Sequence, residues 1–189
     1  MITSARFILS IAVVSVLGLA ACTSDHGSAD QKTASMNNQL STATGQHFQA
    51  QLALDGAPKI SSDGQSIVVQ VNVTNTGSGT FGSETTPNNV NIGAHSVDAM
   101  GKIIDQDLAR GHLPQVTQGA TATTSILLPL DKVLNKSAEI LPVQENVAWF
   151  DKWGTKPLIV GPFNSCSGDN VGKVCDASGK PLATATAKQ

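Results

Sequence analysis

The sequence predicts an all-β protein, an antiparallel two-sheet sandwich of about seven short strands. Three observations carry this. Apolar and polar residues alternate at period 2 through HFQAQLALD (47–55) and SIVVQVNVT (66–74). Clusters of Gly, Asn, Asp and Ser punctuate the apolar runs at the spacing of tight turns. The composition is rich in Thr, Ser, Val, Asn and Gly, with 4% aromatic residues and no tyrosine, which favours strands and turns over helices. A chain of 189 residues, 40% hydrophobic and 14% charged, has room for one such domain.

The elements follow in chain order. Residues 1–22 read MITSARFILSIAVVSVLGLAAC: Arg6 supplies a positive start, and Phe7 to Leu19 an apolar run too short to span a bilayer. This is the pattern of a secretory signal. Its end, Leu19-Ala20-Ala21-Cys22, resembles the lipobox of bacterial lipoproteins. That resemblance implies a signal peptide over 1–21, removed by cleavage, and a lipidated Cys22 as the new N-terminus. Thr23, rather than Asp, follows the cysteine, which in that family implies the periplasmic face of an outer membrane. Each buried methylene of an acyl chain contributes about 0.8 kcal/mol, so more than one chain on Cys22 gives stable anchoring.

Residues 22–45 then read as a flexible tether, with Met36 and Leu40 its only sizeable apolar residues. A linker of this length spans on the order of 25–30 Å. His26 falls in it and is expected to be solvated. The sandwich is expected over 46–165. Its first strand puts Phe48, Ala50, Leu52 and Leu54 on one face and has the pattern of a sheet edge. After the turn Ser62-Asp63-Gly64, the strongest strand turns Ile67, Val69, Val71 and Val73 inward. Further strands are predicted over Val90–Val97, Lys102–Asp105 (after the turn Asp98–Gly101), Thr121–Leu130, Ala138–Trp149 and Pro157–Phe163. A single helical turn is expected near Asp131–Asn135. Residues 166–189 read as a loop closed by a disulfide, then a mobile tail.

With Cys22 assigned to lipid, Cys166 and Cys175 remain as a pair, and in an oxidising compartment they close a loop of turn-forming residues. A redox pair sits closer, as CxxC, and a zinc site needs more ligands. Net charge is -2, with no basic stripe to neutralise phosphates, so nucleic acid is not an expected partner.

Candidate chemistry is sparse. His95 shares the outward face of its strand with Asn91, and His112 follows Asp105, Asp107 and Arg110 in KIIDQDLARGHLP. These could meet as an acid–base or metal site, but no motif fixes such a geometry, and they read better as exposed polar residues. No metal, cofactor or catalytic residue is predicted. Alternation through Leu141, Val143, Glu145, Val147 and Trp149 would aim Glu145 into the core. A β-bulge at Glu145-Asn146, with Asn in a left-handed conformation, resolves this better than a buried catalytic acid. Trp149 is then assigned to the core, while Phe150 and Trp153 join His95 and His112 as candidate binding residues, with Trp153 exposed at a loop tip.

Several segments together carry a second resemblance: VNVTNTGSGTF (71–81), VNIGAHSVDAMGKII (90–104), RGHLP (110–114), VTQGATATTSILLP (116–129) and VQENVAWFDKWGTKPLIV (143–160). In order and spacing they are similar to an immunoglobulin-like module attached to bacterial glycosyltransferases and polysaccharide exporters. Ser96 stands where that module commonly has an aromatic, and Asn146 where it has Gly. The resemblance implies an immunoglobulin-like sandwich with a non-catalytic binding or spacer role. The expected function is therefore a lipid-anchored, non-enzymatic envelope module that binds a surface polysaccharide or another glycan. The alternative is a protein-interaction lipoprotein, a subunit or inhibitor of an envelope or secretion machine.

Overall fold

The computed structural model describes residues 47–186. The signal peptide, Cys22, the tether and the last three residues lie outside them. Strands β1 (Ala50–Leu54), β2 (Lys59–Ile60), β3 (Ser66–Asn75), β4 (Val90–Val97), β5 (Ile103–Gly111) and β6 (Thr121–Pro129) precede a short helix, α1 (Leu130–Val133). β7 (Lys136–Gln144), β8 (Ala148–Trp149), β9 (Leu158–Ser165) and β10 (Val174–Cys175) follow. They form two antiparallel sheets, the immunoglobulin-like sandwich the sequence predicts.

β3 is the centre of the first sheet. It pairs with β6 from Ser66–Pro129 to Thr74–Thr121, and on its other side β1 and β2 share one edge end to end. The second sheet runs β10-β9-β7-β4-β5, with β8 also on β7. Between the sheets lie Ile67, Val69, Val71 and Val73 of β3, all fully buried as their alternation requires, against Ile92, Ala94 and Ile140. One end of this core is aromatic: Phe81 and Phe150 meet edge to face at 5.2 Å between centroids, with Phe48 beside both.

The strand predicted as Ala138–Trp149 divides in two. Asn146 does adopt φ 60°, but it closes a turn between β7 and β8 instead of bulging one continuous strand. The chain reverses, pairing Gln144 with Ala148 and Val143 with Trp149, so the side-chain parity read along the sequence restarts. Trp149 consequently lies on the outer face with Val143, and Phe150 takes the core place assigned to Trp149.

β5 is longer than the predicted Lys102–Asp105. It contains an irregularity: two steps on β4, from Ser96 to Ala94, correspond to four on β5, from Asp105 to Ala109. The extra residues spoil the alternation that would have marked the strand.

Two turns share the pattern Asp-Ala-x-Gly-Lys. The Asp98 carboxylate accepts from the backbone N–H of Met100 and Lys102, both at 2.9 Å. Asp176 does the same for Ser178 and Lys180. In each, the glycine has positive φ, 77° at Gly101 and 81° at Gly179, which a side chain would resist. The Ser178 hydroxyl and the Lys180 backbone N–H hold the Asp176 carboxyl below its usual range.

Cys166 and Cys175 form the expected disulfide. The tail beyond it is tied down as far as the structure describes it, contrary to the mobile segment the sequence suggests. Leu182 donates its N–H to Val174 and packs on the core, and Ile60 of β2 exchanges backbone hydrogen bonds with Ala183 and Ala185. Small polar residues gave no sign of this, because backbone pairing to a neighbouring strand needs no particular side chain.

Candidate functional site

The outer face of the second sheet carries a connected set of side chains. Gly93 of β4 has Arg110 of β5 opposite it on one side and Leu141 of β7 on the other. A Cβ at Gly93 would stand 2.6 Å from the Trp149 ring and 2.9 Å from Arg110 Nη1, so this glycine lets the indole lie against the sheet. The Arg110 guanidinium carbon sits 4.5 Å from the ring centroid, a cation–π contact. His95, only 4% exposed, lies on the other side, its ring centroid 3.8 Å from that of Trp149. Its Nδ1 is 2.5 Å from the Gln106 carbonyl in the irregular part of β5. A carbonyl only accepts, so Nδ1 carries the hydrogen.

Hydrogen bonds extend the set. Arg110 Nε reaches Glu145 Oε1 at 3.3 Å, and Nη1 reaches Asp107 at 2.5 Å and the Ala109 carbonyl at 3.2 Å. Glu145 also accepts from Asn91 Nδ2 at 2.7 Å; Asn91 in turn accepts from Ser83 Oγ, and Ser83 from the Leu113 N–H. Glu145 is thus neither buried in the core nor free. It is the shared acceptor that fixes Arg110, and among the described residues the two Nη2 hydrogens of Arg110 have no hydrogen-bond partner.

Arg110 also lines an open cleft of about 400 Å³ where β5 and β6 approach, together with His112, Pro114, Thr123, Ser125 and Leu127. Thr124 Oγ1 donates to the His112 carbonyl, holding the end of β5 against β6, and Thr123 donates to Asn72. The His112 ring is largely exposed, 3.7 Å from the still more exposed Glu84. A pair so solvated contributes little to stability and leaves the imidazole accessible.

The four candidate binding residues therefore separate. His112 stands at the cleft, and His95 is enclosed beneath Trp149. Phe150 is fully buried and offers no binding surface. Trp153, expected at an exposed tip, instead ends the 3-10 turn Phe150–Trp153 with its ring 5.1 Å from Phe150 and 5.7 Å from Phe48. Gly154, at φ 85°, lets the chain leave that turn while the indole stays on the core. His95, Asp105, Asp107 and His112 do not converge: Asp105 pairs with Lys132 at 3.4 Å and Asp107 with Arg110.

The sequence reading did not single out Arg110 or the β6 hydroxyls as a site. Arg110, two residues before His112, was within its view, but the approach of β5 to β6 is a long-range fact without a local signature. No family model matches this chain, and no curated protein does.

Proposed function

We propose that this chain is a non-enzymatic, lipid-anchored binding module of the cell envelope that holds a glycan in the cleft beside Arg110 and His112. The observation that carries this reading is the make-up of the cleft. Two unpaired guanidinium hydrogens, an accessible imidazole and the hydroxyl groups of Thr123 and Ser125 adjoin the apolar surfaces of Pro114 and Leu127, the latter 55% exposed. A sugar ring presents the matching pair, a rim of hydroxyls and a C–H face. Aromatic stacking has no part in this arrangement, since the described phenylalanines belong to the core and Trp149 is covered by Arg110.

Isothermal titration with purified envelope polysaccharide tests this. Arg110→Ala and His112→Ala are each expected to weaken binding roughly tenfold, the effect of losing a charge-assisted hydrogen bond. Trp149 emission is expected to shift on binding, because Arg110 lies on its ring. Anchoring is tested separately: Cys22→Ala is expected to release the protein from membranes, and retention of that variant in the membrane fraction would refute the lipid anchor.

A second reading, a protein-interaction lipoprotein, has its own observation. The β4–β5 hairpin tip exposes Met100 (92%), Ile103 (43%) and Ile104 (52%), a run of apolar surface suited to a protein contact. If no polysaccharide binds, and an envelope protein is retained by the wild type but not by Met100→Ser or Ile104→Ser, this reading replaces the first.

A further inference from the structure

The edge of the first sheet is covered along one half and bare along the other. At β2, the tail occupies the outward N–H and C=O of Ile60. Along β1 the backbone alternates. Thr76 donates to the Gln49 carbonyl and Asp55 donates to that of Gln70, so Gln49, Gln51, Ala53 and Asp55 turn their polar groups toward β3. Ala50, Leu52 and Leu54 face away from it. The Ala50 N–H is taken by Thr155 Oγ1 at 3.1 Å, but the outward groups of Leu52 and Leu54 have no partner among the described residues. Proteins usually shield such an edge with charge, proline or a bulge. Ala50–Leu54 has none of these, Leu54 is 40% exposed, and an open groove of about 660 Å³ lined by Leu52, Lys156, Leu158 and Ile159 runs beside it.

We propose that a second copy of this chain pairs here, β1 against β1, antiparallel about a two-fold axis through Leu52. The strand is complementary to itself in that register. Leu52 meets Leu52 and Leu54 meets Ala50, so outward N–H groups face outward carbonyls, giving about four main-chain hydrogen bonds once the occupied Ala50 N–H is set aside. No charge lies within Ala50–Leu54 to repel its counterpart. The register brings Asp55 of one copy opposite Gln49 of the other, at the end of the groove that carries Lys156, and symmetry provides this opposite-charge approach twice. The tail on β2 confines the pairing to this stretch. The result is one continuous sheet across two molecules, and it does not depend on what the Arg110–His112 cleft binds.

The test uses the full chain carrying Cys22→Ser, so that an added cysteine is the sole unpaired thiol. Leu52→Cys is expected to give a covalent dimer under mild oxidation, because facing residues of a hydrogen-bonded pair stand about 5.5 Å apart at Cα, within disulfide range. Leu54→Cys is expected to stay largely monomeric, since its counterpart is Ala50. Sedimentation equilibrium without an added cysteine is expected to show reversible dimerisation. Leu52→Pro is expected to weaken it roughly tenfold with an unchanged circular dichroism spectrum, since it removes an N–H that the fold itself does not use. A monomer at the highest soluble concentration would overturn the proposal. So would equal cross-linking of Leu52→Cys and Leu54→Cys, the mark of random collision.

Discussion

Replacing Phe150 with Ala is expected to lower the free energy of unfolding by about 3–5 kcal/mol, the cost of removing a large buried ring from a site that cannot close around the gap. Phe150 is fully buried and touches Phe48, Phe81 and Trp153, which come from three separate stretches of chain. Its loss opens the aromatic end of the sandwich on all of them at once. Trp149→Ala is expected to cost less. That indole lies outside the sandwich, and its removal uncovers His95 and Val143 to water rather than leaving a closed cavity. Urea denaturation of the two variants decides the matter. A larger loss for Trp149→Ala would mean that the core position belongs to the tryptophan and that the β7–β8 reversal is wrongly placed.

That reversal shows what a linear reading can and cannot recover. β3 was legible because its fully buried residues fall at every second position without interruption. The left-handed Asn146 was legible too, since Asn is among the few residues that tolerate positive φ. Its consequence was not. A left-handed residue can bulge a strand or turn it back, and the choice rests on whether β8 finds a partner on β7, a contact absent from local sequence. Phe150, Trp149 and Trp153 were misassigned together for this reason, because one change of direction alters the parity of everything after it. β5 failed in another way: its extra residues break the alternation, and the same irregularity delivers the Gln106 carbonyl to His95.

The candidate site depends still more on register. Arg110 faces Gly93 through one strand pairing, while Trp149 reaches the same face through the β7–β8 turn. Neither relation is encoded by spacing along the chain. What the sequence does contain is a glycine inside an otherwise regular strand, the local trace of a close approach. Gly93 is that trace, and a Cβ there would displace the Trp149 ring or Arg110. His112 was legible as an accessible polar residue. The hydroxyls across the cleft belong to the outward face of β6, where alternation leaves Thr123 and Ser125 without assigning them a role.

Removing the disulfide with Cys166→Ser and Cys175→Ser is expected to destabilise the fold by about 2–4 kcal/mol, the usual contribution of a bridge that limits the unfolded chain. Much of the effect should be local. The bridge fixes β10 beside β9, and β10 in turn holds Leu182, which leads the tail to Ile60. Without it, the tail must be ordered by a few backbone hydrogen bonds and one packed leucine, against an entropic cost of about 1–2 kcal/mol per residue fixed. Amide exchange at Ile60 and Ala185 is therefore expected to accelerate well before the centre of β3 is affected. Unchanged protection at those two amides would show that the tail holds the β2 edge independently. If it does let go, the edge bare along β1 becomes bare along β2 as well, and the register that sets Leu52 against Leu52 loses the stop that confines it. Leu54→Cys, expected to resist cross-linking in the intact protein, should then link more readily in the variant lacking the disulfide. This contrast would identify the tail as the element that limits pairing to one register.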